Sequence, residues 1–234
     1  MPTLVLLAWS GGKDSMLALA TLRRDPETCV VGLLTTVAPA YDRISIHGVR
    51  RSILQAQADA VGLPVFEAPL APDSGNADYA AAWALALRHA RAALGPVAHI
   101  AYGDLFLEDV RRFREEQSQR LGYTPLFPLW GRDTGSLARD FIRAGYEAYL
   151  TCVDTTQLAP EFAGRQFDDA LLADLPATVD PCGERGEFHT CVVAGPLFRR
   201  AIPVRCGERV RRDGRFEFCD LVPRDNLPSA RAAA

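Results

Sequence analysis

The sequence predicts an α/β fold: a parallel sheet covered by helices on both faces over residues 1–128, followed by a smaller α+β subdomain over 129–223. Three observations predict it. Apolar β-rich runs alternate with segments of helical spacing up to about Gly122, which is the pattern of βαβ units. A glycine turn joins the first run to the first helix. Beyond the proline- and aromatic-rich stretch 125–130 the pattern changes, and short β-rich runs separated by turn residues take over.

Residues 3–9 read as a buried strand, and after the turn Ser10-Gly11-Gly12-Lys13 the apolar residues of 14–24 recur at helical spacing. A second β-rich run covers 29–35. Residues 49–62 read as a helix closed by glycine, 64–68 as a short strand, and Asn76 opens a long alanine-rich helix that ends near Gly95. Residues 97–102 form the next apolar strand, stopped by Gly103-Asp104, and 108–122 a charged, surface-facing helix. In the second part, 134–145 is predicted helical, 146–153 strand-like, 168–175 helical, and 188–221 a set of short strands. Residues 224–234 are expected to form a frayed tail.

Composition sets limits on function. The chain has 234 residues, enough for one large domain or a main domain with a smaller companion, and 48% hydrophobic against 24% charged residues is ordinary for a protein with a real core. A formal net charge of −3 disfavours a general nucleic-acid-binding role. The apolar run 4–9 has no basic flank and is cut short by polar residues, so neither a leader peptide nor a membrane span is expected. The six cysteines form no CxxC pair, which suits free thiols in a reducing, cytoplasmic setting. An oligomer is compatible with the sequence, which fixes no particular state. Of 26 basic residues, Lys13 is the lone lysine, placed where a compact ammonium differs most from an arginine fork.

The strongest local signal is Ser10-Gly11-Gly12-Lys13-Asp14-Ser15 between a strand and a helix. Two glycines let successive N–H groups point inward, the helix start adds its positive end, and Ser10 and Ser15 supply hydroxyls: a seat for phosphate. The spacing fits neither a Walker A loop nor a GxGxxG fingerprint. Three further clusters accompany it. His47 and Arg50 precede the second helix and are candidates for nucleotide contact. Gly103 and Asp104 end a parallel strand, and Thr35 and Thr36 end another on the same sheet edge, where ligands of open α/β sheets bind. The run from Asp180 to Thr190 concentrates two glutamates, a histidine, a thiol and two glycines, a polar density that points to a site. There Glu184 and Glu187 would bind a cationic group or steer ammonia, and His189 would move protons.

The SGGKDS loop resembles the PP-loop of the ATP pyrophosphatases. Together with HGVR, GDLFLEDVRRFRE, PLFPLWGRDT and DPCGERGEFHT it resembles the diphthine:ammonia ligase family, from Leu4 to about Leu221. The resemblance implies a Rossmann-like, HUP-type sheet. It also implies ATP-dependent amidation of diphthine on translation elongation factor 2 through an acyl adenylate, with ammonia as nitrogen donor and AMP and pyrophosphate as products. ATP and Mg2+ are the implied cofactors, and a protein such as an elongation factor the implied acceptor. On this reading Ser10, Gly11, Gly12, Lys13, Asp14, Ser15, Thr35, Thr36, His47, Arg50, Gly103 and Asp104 bind ATP. Lys13, Asp14, Glu184, Glu187 and His189 are catalytic, and Glu184, Gly186, Glu187, Phe188, His189 and Thr190 recognise the acceptor. Which of Asp14, Asp104 and Glu187 touches a metal stays open. So does the acceptor itself, since the alanine- and arginine-rich composition is that of a GC-rich genome.

Two other readings compete. RNA thiolation would need a sulfur relay, for which Cys152, Cys182 and Cys191 are candidates without an iron–sulfur or zinc pattern. A nucleotide-binding module without turnover would use the same fold. Residues 199–215 hold seven arginines, read as a solvated strand pair in preference to a docking face.

Overall fold

The computed structural model describes residues 1–45, 47–71 and 74–224, so most of the expected tail lies outside the described residues. The first sheet is built from parallel strands β1 (Thr3–Ala8), β2 (Thr28–Ala38), β4 (Val65–Pro69), β5 (His99–Ala101) and β6 (Thr124–Leu126). β1 lies between β2 and β5, β4 pairs with β2, and β6 pairs with β5. The short β3 (Arg43–Ile44) runs antiparallel to the far end of β2. Chain order therefore reverses between β1 and β5, and the crevice at their carboxyl ends is where this topology binds ligands.

Helices α1 (Lys13–Arg24) and α2 (Arg51–Val61) pack on one face, α3 (Asn76–Leu94) and α4 (Glu108–Arg120) on the other. The aromatic core under α3 includes Trp83 and Tyr102, 3% and 2% exposed. The core under α1 and α2 runs on into a second, antiparallel sheet, so one apolar interior joins the two sheets. In that sheet β7 (Glu147–Asp154) lies between β8 (Phe188–Ala194) and β10 (Phe216–Pro223), with β9 (Val204–Arg212) outside β10. Helices α5 (Thr134–Arg143) and α6 (Asp169–Asp174) complete the fold, each opened by an aspartate, Asp133 or Asp168, that accepts a backbone N–H of its first turn.

The expected alternation of strands and helices is present, with two differences. β6 reaches into the proline- and aromatic-rich stretch 125–130, for which no strand is predicted, and uses Pro125. A proline is tolerated there since β6 is the sheet's edge and one side of it needs no donor. β3, two residues long, lies in a stretch with no alternating pattern.

Candidate active site

β1 ends at the loop Ser10–Ser15, and Gly11 turns it with φ +76°, the left-handed region that suits glycine. The loop is anchored from the second sheet. Val192 N–H donates to the Gly11 carbonyl at 2.9 Å, and Lys13 N–H donates to Thr190 Oγ1 at 3.1 Å. Gln57 of α2 fills the gap behind it. Its amide donates to the carbonyls of Gly11 (2.9 Å) and Val192 (2.7 Å), while its Oε1 accepts from Trp9 Nε1 (3.1 Å). Gln57 is fully buried and is a residue of the site's support that the sequence reading does not single out. A glutamine inside an apolar helix face, beside Ile53, Leu54 and Ala58, was the available signal.

In front of the loop a cleft of about 660 Å³ opens over the carboxyl ends of β1, β2 and β5, a volume suited to a nucleotide-sized ligand. Ser10, Gly12, Lys13, Asp14, Ser15, Thr35, Thr36, His47, Gly103, Asp104, Glu184, Gly186, Phe188, His189 and Thr190 line it. The structure thus brings together residues from four separate clusters of the sequence. Tyr79, Trp83, Tyr102 and Arg114 of the α3–α4 side add an aromatic wall that the sequence reading left out. Helix spacing marks Tyr79 and Trp83 as core, and the end of the apolar run 97–102 does the same for Tyr102.

Three expected site residues stand elsewhere. Arg50 turns away from the cleft, and its guanidinium grips Asp220 of β10, Nε to Oδ1 at 3.0 Å, beside Arg43 on the same carboxylate at 2.8 Å. Its charge is better matched by that carboxylate than by solvent at the cleft mouth. Glu187 is 1% exposed and accepts the backbone N–H groups of Asp180 (2.8 Å) and Arg185 (2.9 Å), so it shapes the 180–187 loop instead of facing a ligand. Gly11 shapes the turn from behind and does not line the cleft.

The charges in the site are coupled. Lys13 is 2% exposed, and its Nζ donates to Asp14 Oδ2 at 2.9 Å and to the Cys182 carbonyl, between the rings of Phe167 and Phe188. Burial opposes its charge, yet Asp14 and the other groups around it outweigh burial and hold its pKa above that of an ordinary lysine. Burial lifts Asp14 above the usual carboxylate range despite Lys13, and lifts Asp104 despite Arg114. Glu184 accepts from Leu105 N–H at 2.7 Å, which ties the 180–187 loop to the end of β5. Burial, with Asp14 and Asp104 nearby, pushes its pKa up to about 7. The rings of His47 and His189 lie 4.5 Å apart. Burial holds both neutral, His189 down to about 4.

Asp14 Oδ1 and Asp104 Oδ2 are buried and have no hydrogen-bond partner. Among the described residues no three His, Cys, Asp or Glu side chains converge as a self-sufficient cation site. Hard oxygen donors in ones and twos suit Mg2+, which takes most of its remaining ligands from phosphate and water.

Residues 1–124 match the family model of the diphthamide synthase N-terminal domain, and residues 133–221 that of the diphthamide synthase C-terminal domain. A diphthine–ammonia ligase of Homo sapiens is 34% identical over 110 residues, 44% of this chain and 41% of that protein. One of Schizosaccharomyces pombe is 33% identical over 111 residues, 46% of this chain and 18% of that protein. The match thus spans less than half the length of either relative. With its two parts matched in order by the two domain models, the chain belongs to the diphthamide synthase family.

Proposed function

We propose that this protein is an ATP-dependent amide ligase of the diphthine–ammonia type, cutting ATP between the α and β phosphates and transferring ammonia to the activated carboxylate. One observation carries the reading: the phosphate loop and the 183–190 segment face each other across a single cleft, so a nucleotide and an acceptor would meet there. The names of the relatives agree with it.

In this reading the loop N–H groups, Ser10, Ser15 and the start of α1 bind the phosphates, and Thr35, Thr36, Gly103 and Asp104 flank the nucleoside. Asp14 and Asp104 would hold Mg2+, which supplies charge neutralisation on the phosphates. The acceptor carboxylate attacks the α-phosphorus and the α,β bond breaks with release of pyrophosphate. Ammonia then attacks the acyl carbon, loses a proton, and AMP leaves. Glu184, poised near neutrality at the cleft, is placed to take that proton, while neutral His47 and His189 orient the acyl adenylate by hydrogen bonds. The acceptor is a protein carboxylate such as diphthine on an elongation factor, and the setting is cytoplasmic.

A sulfur relay fits less well. Burial pushes the thiols of Cys152, Cys182 and Cys191 up to about 12, so little thiolate exists at neutral pH. The test is product analysis with ATP, Mg2+, ammonium and elongation factor 2 carrying diphthine. AMP with pyrophosphate, lost in Ser15→Ala, is expected; ADP with phosphate, or intact ATP throughout, overturns the proposal.

A further inference from the structure

We infer that Gln57 is a positioning residue that locks the phosphate loop to the second sheet, so that nucleotide affinity is set partly by a side chain that touches no nucleotide. The inference rests on the proposed nucleotide site only for its affinity readout. Gln57 lies 46 residues from Gly11 and 135 from Val192, and its single amide group bonds three partners on the two segments that meet behind the loop, Trp9 and Gly11 on one and Val192 on the other. Both amide hydrogens go to carbonyls and the oxygen takes the indole N–H, which leaves the group no freedom to turn. The contact also fixes the loop's shape from the other side: a Cβ on Gly11 would stand 2.5 Å from Gln57 Oε1, so glycine and glutamine fit as a pair.

The physical consequence is coupling. A phosphate loop works because its N–H groups already point at the anion, and every freedom it keeps before binding is paid in affinity. Here Gly11 cannot relax without breaking bonds to α2 and β8 together, and Lys13 N–H is held by Thr190 on the same strand. Strand β8 also carries His189 into the cleft, so the bonds that hold the loop also fix its distance from the acceptor side.

The experiment compares wild type with Gln57→Met, which keeps the volume and removes the amide, and with Gln57→Glu, which keeps the acceptor for Trp9 and loses both donors. Amide hydrogen exchange of residues 10–15 and of α3 is measured well below the unfolding temperature, and ATP and adenosine binding by calorimetry and competition. The expected result is faster exchange in 10–15 with α3 unchanged, and ATP affinity weaker by roughly ten-fold or more in both variants, the scale of losing buried hydrogen bonds. Adenosine, which lacks phosphates, keeps its affinity. Unchanged loop exchange, or equal losses for ATP and adenosine, overturns the inference. If wild type does not bind ATP the proposed function falls, while the exchange result still decides the role of Gln57.

Discussion

At the scale of single residues, the site runs on groups held away from their ordinary protonation. Glu184 keeps its proton up to about 7 in the folded chain against an ordinary 4.5, so its contribution to stability is full below about 4.5 and is lost as pH rises toward 7. His189 works the other way. Folding holds it neutral down to about 4, so its contribution is present above 6.5 and is lost as pH falls toward 4. Glu184→Gln keeps an oxygen for the Leu105 N–H and removes the titration. Its melting temperature should therefore fall less between pH 5 and pH 7.5 than that of wild type. An unchanged difference across that interval would assign the slope to another group. Lys13 shows why the lone lysine is not an arginine: its ammonium fits a narrow slot bounded by Phe167, Phe188 and the Cys182 carbonyl, which a planar fork would overfill.

At the scale of elements, the end of β5 comes so close to the start of α1 that a Cβ at Gly103 would crowd it. A Cβ on Gly103 would lie 3.1 Å from the Asp14 carbonyl carbon and 3.2 Å from Ser15 N, both backbone atoms that cannot swing aside. Gly103→Ala should cost about 1–3 kcal/mol in urea unfolding, the usual range for overpacking, and weaken ATP binding because the strain falls on the helix start that faces the phosphates in the proposed function. An alanine that leaves both quantities unchanged would mean that β5 and α1 separate without effort. The strand ends were legible as cleft-lining positions from chain order alone, but the closeness of β5 to α1 was not, since no local pattern reports a distance between elements about ninety residues apart.

At the scale of the whole molecule, two sheets share one core and meet along the cleft. Besides the hydrogen bonds between the loop and β8, an ionic tie joins the two sheets: Asp220 of β10 holds both Arg43 and Arg50, which flank the turn carrying His47, and Phe218 packs against Gly48 of that turn. Asp220→Ala should lower stability by about 2 kcal/mol, between the values for exposed and buried pairs, and loosen His47 relative to His189. Chemical denaturation with His imidazole shifts by NMR checks both, and a variant with wild-type stability and unmoved shifts would remove this tie from the account. The sequence by itself determined the α/β class, the glycine loop between β1 and α1, the polar 180–190 segment and the family they resemble, because each is written in local spacing and residue type. Only the tertiary structure decided that Arg50 and Glu187 serve the scaffold, that Gln57 backs the loop, and that an aromatic wall completes the cleft. Those roles depend on which partner a side chain meets across the fold, and a charged or amide group reads the same in sequence whether it meets a ligand or its own chain.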